Sequence, residues 1–309
     1  MKIANYFAPD LSRKLATGVL MALATFACCA TAQVQYVDPT IGNVGILLEP
    51  TRPTVFLPNS MVRVYPVRKD ALDDQIASFP LTISSHRMQE LFSIMPGSNG
   101  PAAYDQEKTT PYYYSVRFDG SLIKTEFSPT ERCGYFRFTF PKHEAAVVLA
   151  NRLPGELQAK NGTISGEERF AGMKAYVYGE FSAPVQFAAE EQQEGKRITA
   201  SASDIETLDF RYGISFISVE QAKKNLRREI PAWGLEQVTS AAKARWNEVL
   251  GQIEVEGGTE SQRRIFYSAL YRSSERMINI TEDGRYYSAF DHQIHEDARP
   301  FYVDRKSTV

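Results

Sequence analysis

The residues whose spacing most suggests chemistry lie near the end of the chain, in Asp291-His292-Gln293-Ile294-His295-Glu296-Asp297. Two imidazoles and three carboxylates could hold a transition metal or pass a proton. A helical zinc pair needs histidines four apart so that both leave one face; these are three apart. The cluster therefore reads as a solvated loop. Cys133 is the nucleophile candidate, in Arg132-Cys133-Gly134-Tyr135-Phe136-Arg137-Phe138. That stretch has the texture of a strand edge, where a packed thiol is the better reading. Glu190 and Glu191, with Glu194 and Lys196, read as a charged turn between strands. Gly166, Gly172 and Gly179 are too scattered to cradle a phosphate. These stretches yield no catalytic residue and no metal ligand.

Composition bounds what else the chain can be. It has 309 residues, 43% hydrophobic, 23% charged and 12% aromatic, which excludes a disordered polymer. Its 35 basic against 37 acidic residues leave no polyanion-seeking excess, so no nucleic-acid partner is expected. Residues 1–32 have the pattern of a signal peptide. Arg13 and Lys14 precede an uncharged run from Leu15, which closes on the small-x-small site Ala30-Thr31-Ala32. A secreted or periplasmic location follows. No other stretch approaches the roughly 20 apolar residues of a spanning helix, so no membrane span is expected. Cleavage would take the net charge from −2 to −4 and leave Cys133 as the lone cysteine, with no internal disulfide possible.

The elements available to position a site change character along the chain. From Tyr36 to Phe216 the period is two. Tyr112–Phe118 and Ser121–Phe127 flank Asp119-Gly120, which predicts a hairpin with a tight type I′ turn. Tyr135–Phe140 alternates, and Ala145–Ala150 is a continuous apolar run of the buried-strand kind. Together these predict an antiparallel sandwich over 33–217. Residues 218–257 read as a helical linker. Ser218 with Gln221 opens one helix, which Pro231 stops, and Gly234–Leu250 carries Leu235, Val238, Ala242, Trp246, Val249 and Leu250 on one face. Ile253–Gly257 reads as a short strand. Thr259 with Gln262 starts a third helix that is apolar around most of its circumference; residues 276–309 carry no further strongly periodic helix, and the chain from Asp283 onward reads as loop.

Five segments in this order resemble glycoside hydrolase family 92, secreted calcium-dependent exo-acting α-mannosidases. They are Tyr36-Val37-Asp38-Pro39-Thr40-Ile41-Gly42, Leu57–Pro66, Gly134–Pro141, Ile265–Tyr271 and Asp283-Gly284-Arg285-Tyr286. The resemblance implies a mainly β chain: an antiparallel β-supersandwich, a helical linker, and from 258 to 309 the first helix of an incomplete (α/α)6 barrel. It implies a mannose-containing glycan as partner and inverting hydrolysis by two carboxyl groups about 6.5–9.5 Å apart. It also implies calcium in the full-length enzyme, with none expected to be held by this chain alone. The acid, the base and most of the metal site belong to the barrel, so no catalytic residue is carried over. After Asp304 the resemblance gives way to Arg305-Lys306-Ser307-Thr308-Val309. This reads as truncation by a frameshift, a premature stop or a split gene, leaving a portion inactive alone.

Two residues are carried over as substrate contacts. His86, in Ser84-Ser85-His86-Arg87, matches a His- and Ser-rich sandwich loop near the sugar. Arg52, in Glu49-Pro50-Thr51-Arg52-Pro53, matches sandwich loops that reach the cleft at the domain interface. The alternative to the enzyme reading is a stand-alone, non-catalytic carbohydrate-binding or scaffold module.

Overall fold

The computed structural model describes residues 33–42, 52–69, 72–84, 89–97, 100–193 and 195–303. The expected signal peptide and His86 lie outside the described residues. The described chain is mainly β. A nine-stranded antiparallel sheet runs in the order Gly155–Lys160, Thr163–Phe170, Met173–Phe181, Thr207–Ser215, Cys133–Thr139, Lys124–Pro129, Tyr113–Phe118, Ala102–Thr110 and Gln75–Ile76. A five-stranded sheet runs Gln186–Gln192, Gly195–Ser203, Glu144–Ala150, Glu90–Pro96 and Phe79–Ile83. Their inner faces share one core: Phe79 of the small sheet meets Phe136 of the large one with ring centroids 5.9 Å apart.

Strand alternation explains why Cys133–Thr139 is buried on both faces. Phe136 and Phe138 point between the sheets, while Cys133 and Tyr135 point outward. The outward pair is covered by helices α1 (Val219–Glu229) and α2 (Leu235–Leu250), through Ala222, Leu226, Leu235 and Val238. The approach is close. A Cβ on Gly213 would stand 2.2 Å from the Ala222 carbonyl oxygen, so only glycine fits there. Helix α3 (Glu260–Ser273) opens with a capping box, the Thr259 hydroxyl and Gln262 side chain each meeting the other's backbone N–H.

Several expectations need correction. The Asp119-Gly120 turn is not a two-residue hairpin. Asp119 donates its N–H to the Ala103 carbonyl at 3.0 Å, and the left-handed residue is Leu122, at φ 58°. The neighbouring strand captures the first turn residue, and the chain reverses later. Glu190 and Glu191 lie within an exposed edge strand, where charge guards an unpaired edge, and not in a turn. Cys133 opens a strand inside the large sheet, with neighbours on both sides. No strand forms at Ile253–Gly257. The Tyr267 hydroxyl binds the Ile253 carbonyl at 3.1 Å and takes the Val255 N–H at 3.3 Å, clipping that segment to α3. Residues after 276 include two small antiparallel pairs, Ile278–Asn279 with Tyr302–Val303 and Arg285–Tyr287 with Ile294–Glu296. Helix α3 buries Tyr267, Ser268 and Tyr271 on one face and leaves Ile265 exposed on another.

Candidate functional site

Arg52 stands two residues ahead of the buried Thr54 and the short strand Val55–Phe56. Its guanidinium carbon lies 4.8 Å from the centroid of the Tyr65 ring. Among the described residues none accepts a hydrogen bond from that guanidinium. A cation held flat on a ring by an attraction of about 0.5–2 kcal/mol thus keeps its N–H donors available.

The ring beneath it is itself fixed. Tyr65 is buried, and its hydroxyl donates to Glu90 Oε1 at 3.2 Å. Burial first, and then the Glu90 carboxylate, push that hydroxyl far up, so it stays a donor. The other Glu90 oxygen meets Arg152 Nη2 at 3.0 Å. Arg52, Tyr65, Glu90 and Arg152 therefore form a chain of cation, ring, carboxylate and cation in which both carboxylate oxygens are engaged.

Glu90 also opens the strand that pairs antiparallel with Phe79–Ile83, forming a hairpin. The stem of that hairpin is closed by the Ser84 N–H donating to the Gln89 carbonyl at 2.9 Å. Buried Arg63 supports it from below, donating from Nη2 to the Ile83 carbonyl at 2.7 Å. Burial pulls the Arg63 guanidinium down to about 10, which still leaves it charged near neutral pH.

Helix α3 places the Arg52 segment. Arg272 donates to the Arg52 carbonyl at 2.8 Å and also to the carbonyls of Pro39 and Ile41. The Tyr271 hydroxyl donates to the Thr54 carbonyl, and Ser268 Oγ accepts the Asp38 N–H at 2.9 Å. Ser268, Tyr271 and Arg272 are three and four apart, hence on one helical face. Trp246 of α2 completes the anchorage, donating Nε1–H to the Phe56 carbonyl at 2.7 Å. Tyr65, Glu90, Arg152 and Arg272 were not foreseen. Glu90 alone carried a local signal, a carboxylate opening a strand with no other charged residue. The partners of Arg272 are main-chain carbonyls far along the sequence, which no side-chain pattern announces.

The other candidates do not converge on a site. His292 Nδ1 stands 3.0 Å from the Gly172 carbonyl oxygen, and His295 Nε2 is 2.7 Å from Asp291 Oδ2, both exposed. Among the described residues no group of three or more His, Cys, Asp or Glu side chains could hold a metal. The Cys133 thiol is buried and pushed well up by that burial, which makes it unreactive. A cleft of about 570 Å³ beside Thr130, Arg132 and Asp283 is lined by charges already spent. Arg132 binds Glu229 and the Thr281 carbonyl, while Asp283 binds Lys224 and Arg228. Calcium, which takes six to eight oxygen ligands, does not fit the Arg52 site. Its one carboxylate is Glu90, with guanidinium groups on either side of the chain.

Comparison with known proteins agrees with this architecture. The model of the glycosyl hydrolase family 92 N-terminal domain matches residues 36–224, more than half of the chain, and that of the family's catalytic domain matches residues 221–307. The chain belongs to glycosyl hydrolase family 92. Among solved structures, the family 92 inverting mannosidase BT2199 of Bacteroides thetaiotaomicron superposes with a TM-score of 0.80 and is 27% identical. The match covers 88% of this chain and 44% of that one. The α-mannosidase BT3965 of the same organism, solved with mannoimidazole, has the same fold at a TM-score of 0.74 and 19% identity, again over 88% and 44% of the two chains. A secreted glycosidase of Arthroderma benhamiae, itself uncharacterized, is 26% identical over 219 residues, 55% of this chain and 28% of its own length. The family 92 chain described here thus spans less than half the length of these relatives. Among its described residues no helix is long and apolar enough to cross a membrane.

Proposed function

We propose that this family 92 chain is the N-terminal sandwich portion of an exo-acting α-mannosidase, and that it contributes Arg52 as a contact to a mannose-containing glycan. The observation that carries the reading is the Arg52 guanidinium, stacked on buried Tyr65 with its donors uncommitted, on a segment tied to the first helices of the catalytic-domain match. Such a group suits the vicinal hydroxyls of a sugar, since it offers several N–H donors in one plane and its placement costs no further ordering. His86, four residues before Glu90 in the sequence, is proposed as a second contact. The 309-residue chain binds and does not cleave. Inverting hydrolysis uses two carboxyl groups, one protonating the leaving oxygen and one activating water, whereas this site supplies only Glu90 with both oxygens engaged. Calcium, where the whole enzyme uses it, is held by the catalytic portion. Export by a signal peptide over residues 1–32 fits the secreted relative, and mature protein is expected to begin at Gln33 by N-terminal sequencing.

Calorimetric titration with mannotriose tests the reading. Arg52→Ala is expected to weaken binding at least tenfold while the far-ultraviolet circular dichroism stays unchanged. Equal affinity in the two proteins refutes the role of Arg52. Release of free mannose by the chain alone refutes the division between binding and cleavage.

A further inference from the structure

On the outer face of the large sheet, sharing no residue with the Arg52 site, lies an open groove of about 530 Å³. Its walls are the Asn161-Gly162 turn, the end of strand Met173–Phe181 with Ser182, and the indole of Trp233. Trp233 is 38% exposed, an unusual amount for a tryptophan held so firmly. The Arg211 guanidinium lies under it, 4.3 Å from the ring centroid, and Tyr135 meets it edge-on at 6.1 Å and 78°. Arg211 is buried and fully occupied, donating to Glu180 and to the Ile230 carbonyl. Arg211 and Tyr135 thus hold the indole in place, and Trp233, still partly exposed, lines the groove.

The rim is polar, and its one charged side chain, Glu180, is paired with Arg211 and Arg227. No described residue hydrogen-bonds the Asn161 amide, which stands on a turn residue at φ 52°. Ser182 Oγ accepts the Asp209 N–H at 2.9 Å and keeps its own proton to donate. A rigid aromatic face beside uncharged donors and acceptors matches a pyranose ring, which has an apolar C–H face and a polar hydroxyl edge. It does not match a phosphate or carboxylate ligand, because no Arg or Lys lines the groove, and Arg211 and Arg227 beside it both pair with the Glu180 carboxylate.

We propose that this groove is a second glycan-binding site, in which a hexopyranose stacks on Trp233 and hydrogen-bonds through its hydroxyls to Asn161 and Ser182. The site stands on its own geometry; the choice of a mannose-type glycan as its ligand rests on the function proposed above. The chain has two tryptophans, and the other, Trp246, is fully buried, so the emission that acrylamide can quench reports on Trp233. Mannotriose is expected to give a saturable emission change in the full chain and to shield the indole from acrylamide quenching. Asn161→Ala, on an exposed turn, is expected to weaken that signal at least fivefold, and Arg52→Ala to leave it unchanged. If calorimetry detects Arg52-dependent binding while the fluorescence does not respond, the groove proposal fails and the Arg52 reading stands. If neither method detects binding, both fail. A fluorescence signal that Asn161→Ala leaves unaltered also overturns the groove, since the indole would then be only a cap over the Arg211–Glu180 pair.

Discussion

Glu168 offers the sharpest test of how the two sheets are joined. It lies on the large sheet, is 0% exposed, and accepts N–H groups from the small-sheet side: Phe92 at 2.9 Å, Arg152 at 2.6 Å and the Asn151 amide at 3.2 Å. Burial drives its carboxyl from 4.5 up to about 7, and the surrounding donors offset only part of that rise. The native state then holds a proton between pH 4.5 and about 7 that the unfolded chain releases, so stability falls as pH rises through this window. Integrated from pH 5 to pH 8, the loss attributable to this one group is roughly 2.5 kcal/mol. Glu168→Gln stays neutral throughout. It mimics the protonated acid, including the misfit of one donor among donors, and is expected to match the wild type near pH 5. Near pH 8 it should be more stable by about 2.5 kcal/mol. Urea unfolding of both proteins at several pH values measures this, and taking the difference cancels every other titrating group. If Glu168→Gln is instead destabilised by the same 1–3 kcal/mol at all pH values, the N–H cradle holds an ionised carboxylate throughout and the burial argument is wrong.

Other perturbations probe the helices and the site. Trp246→Phe removes the donor to the Phe56 carbonyl and leaves a void in a fully buried position, and should cost about 2–4 kcal/mol in urea unfolding. Gly213→Ala forces α1 off the sheet, with an expected loss of about 1–3 kcal/mol and a lowered melting temperature. Tyr65→Leu takes away the ring under Arg52; mannotriose affinity should fall roughly two- to thirtyfold by calorimetry, the range set by a cation–π contact. A chain ending at Gly251 lacks Arg272 and Tyr271, so any Arg52-dependent affinity should vanish even where circular dichroism still reports the sandwich.

Much of the scaffold was legible because it is written in local period. The alternation of Tyr135, Phe136, Arg137 and Phe138 marks a strand, and its apolar residues on both faces are explained once α1 and α2 are seen covering one side. Ser218 and Thr259 announce the starts of α1 and α3 by side-chain bonds to backbone three residues on, which a sequence can show. The Asp119-Gly120 turn misled because its geometry is decided by the Ala103 carbonyl on a neighbouring strand, a contact outside the local window. The site was less legible for the same reason. Arg52 was singled out by likeness to a family and by its prolines, yet its position depends on Tyr65, Glu90 and Arg272, which meet only after the sheets and helices have folded.

The way α3 divides its surface explains why Arg52 belongs to a junction more than to the sandwich. The buried stripe of Tyr267, Ser268 and Tyr271 faces the N-terminal segment, with Tyr36 stacked on Tyr267 at 5.7 Å and Phe56 against Tyr271 at 4.7 Å. Its bonds there end largely on main-chain carbonyls, so the helix fixes the path of the backbone while leaving the Arg52 side chain free of it. A sandwich core of Phe79, Phe136 and Phe210 would persist without those bonds, because none of its rings touches α3. Arg52 would not keep its place, since the Arg272 bond and the anchored Thr54 carbonyl bracket it directly. The boundary between the two family models, near residue 221, falls inside α1, and the physical dependence of the site runs a further fifty residues past it. The placement of Arg52 is therefore set by helices that fall within the match to the catalytic-domain model.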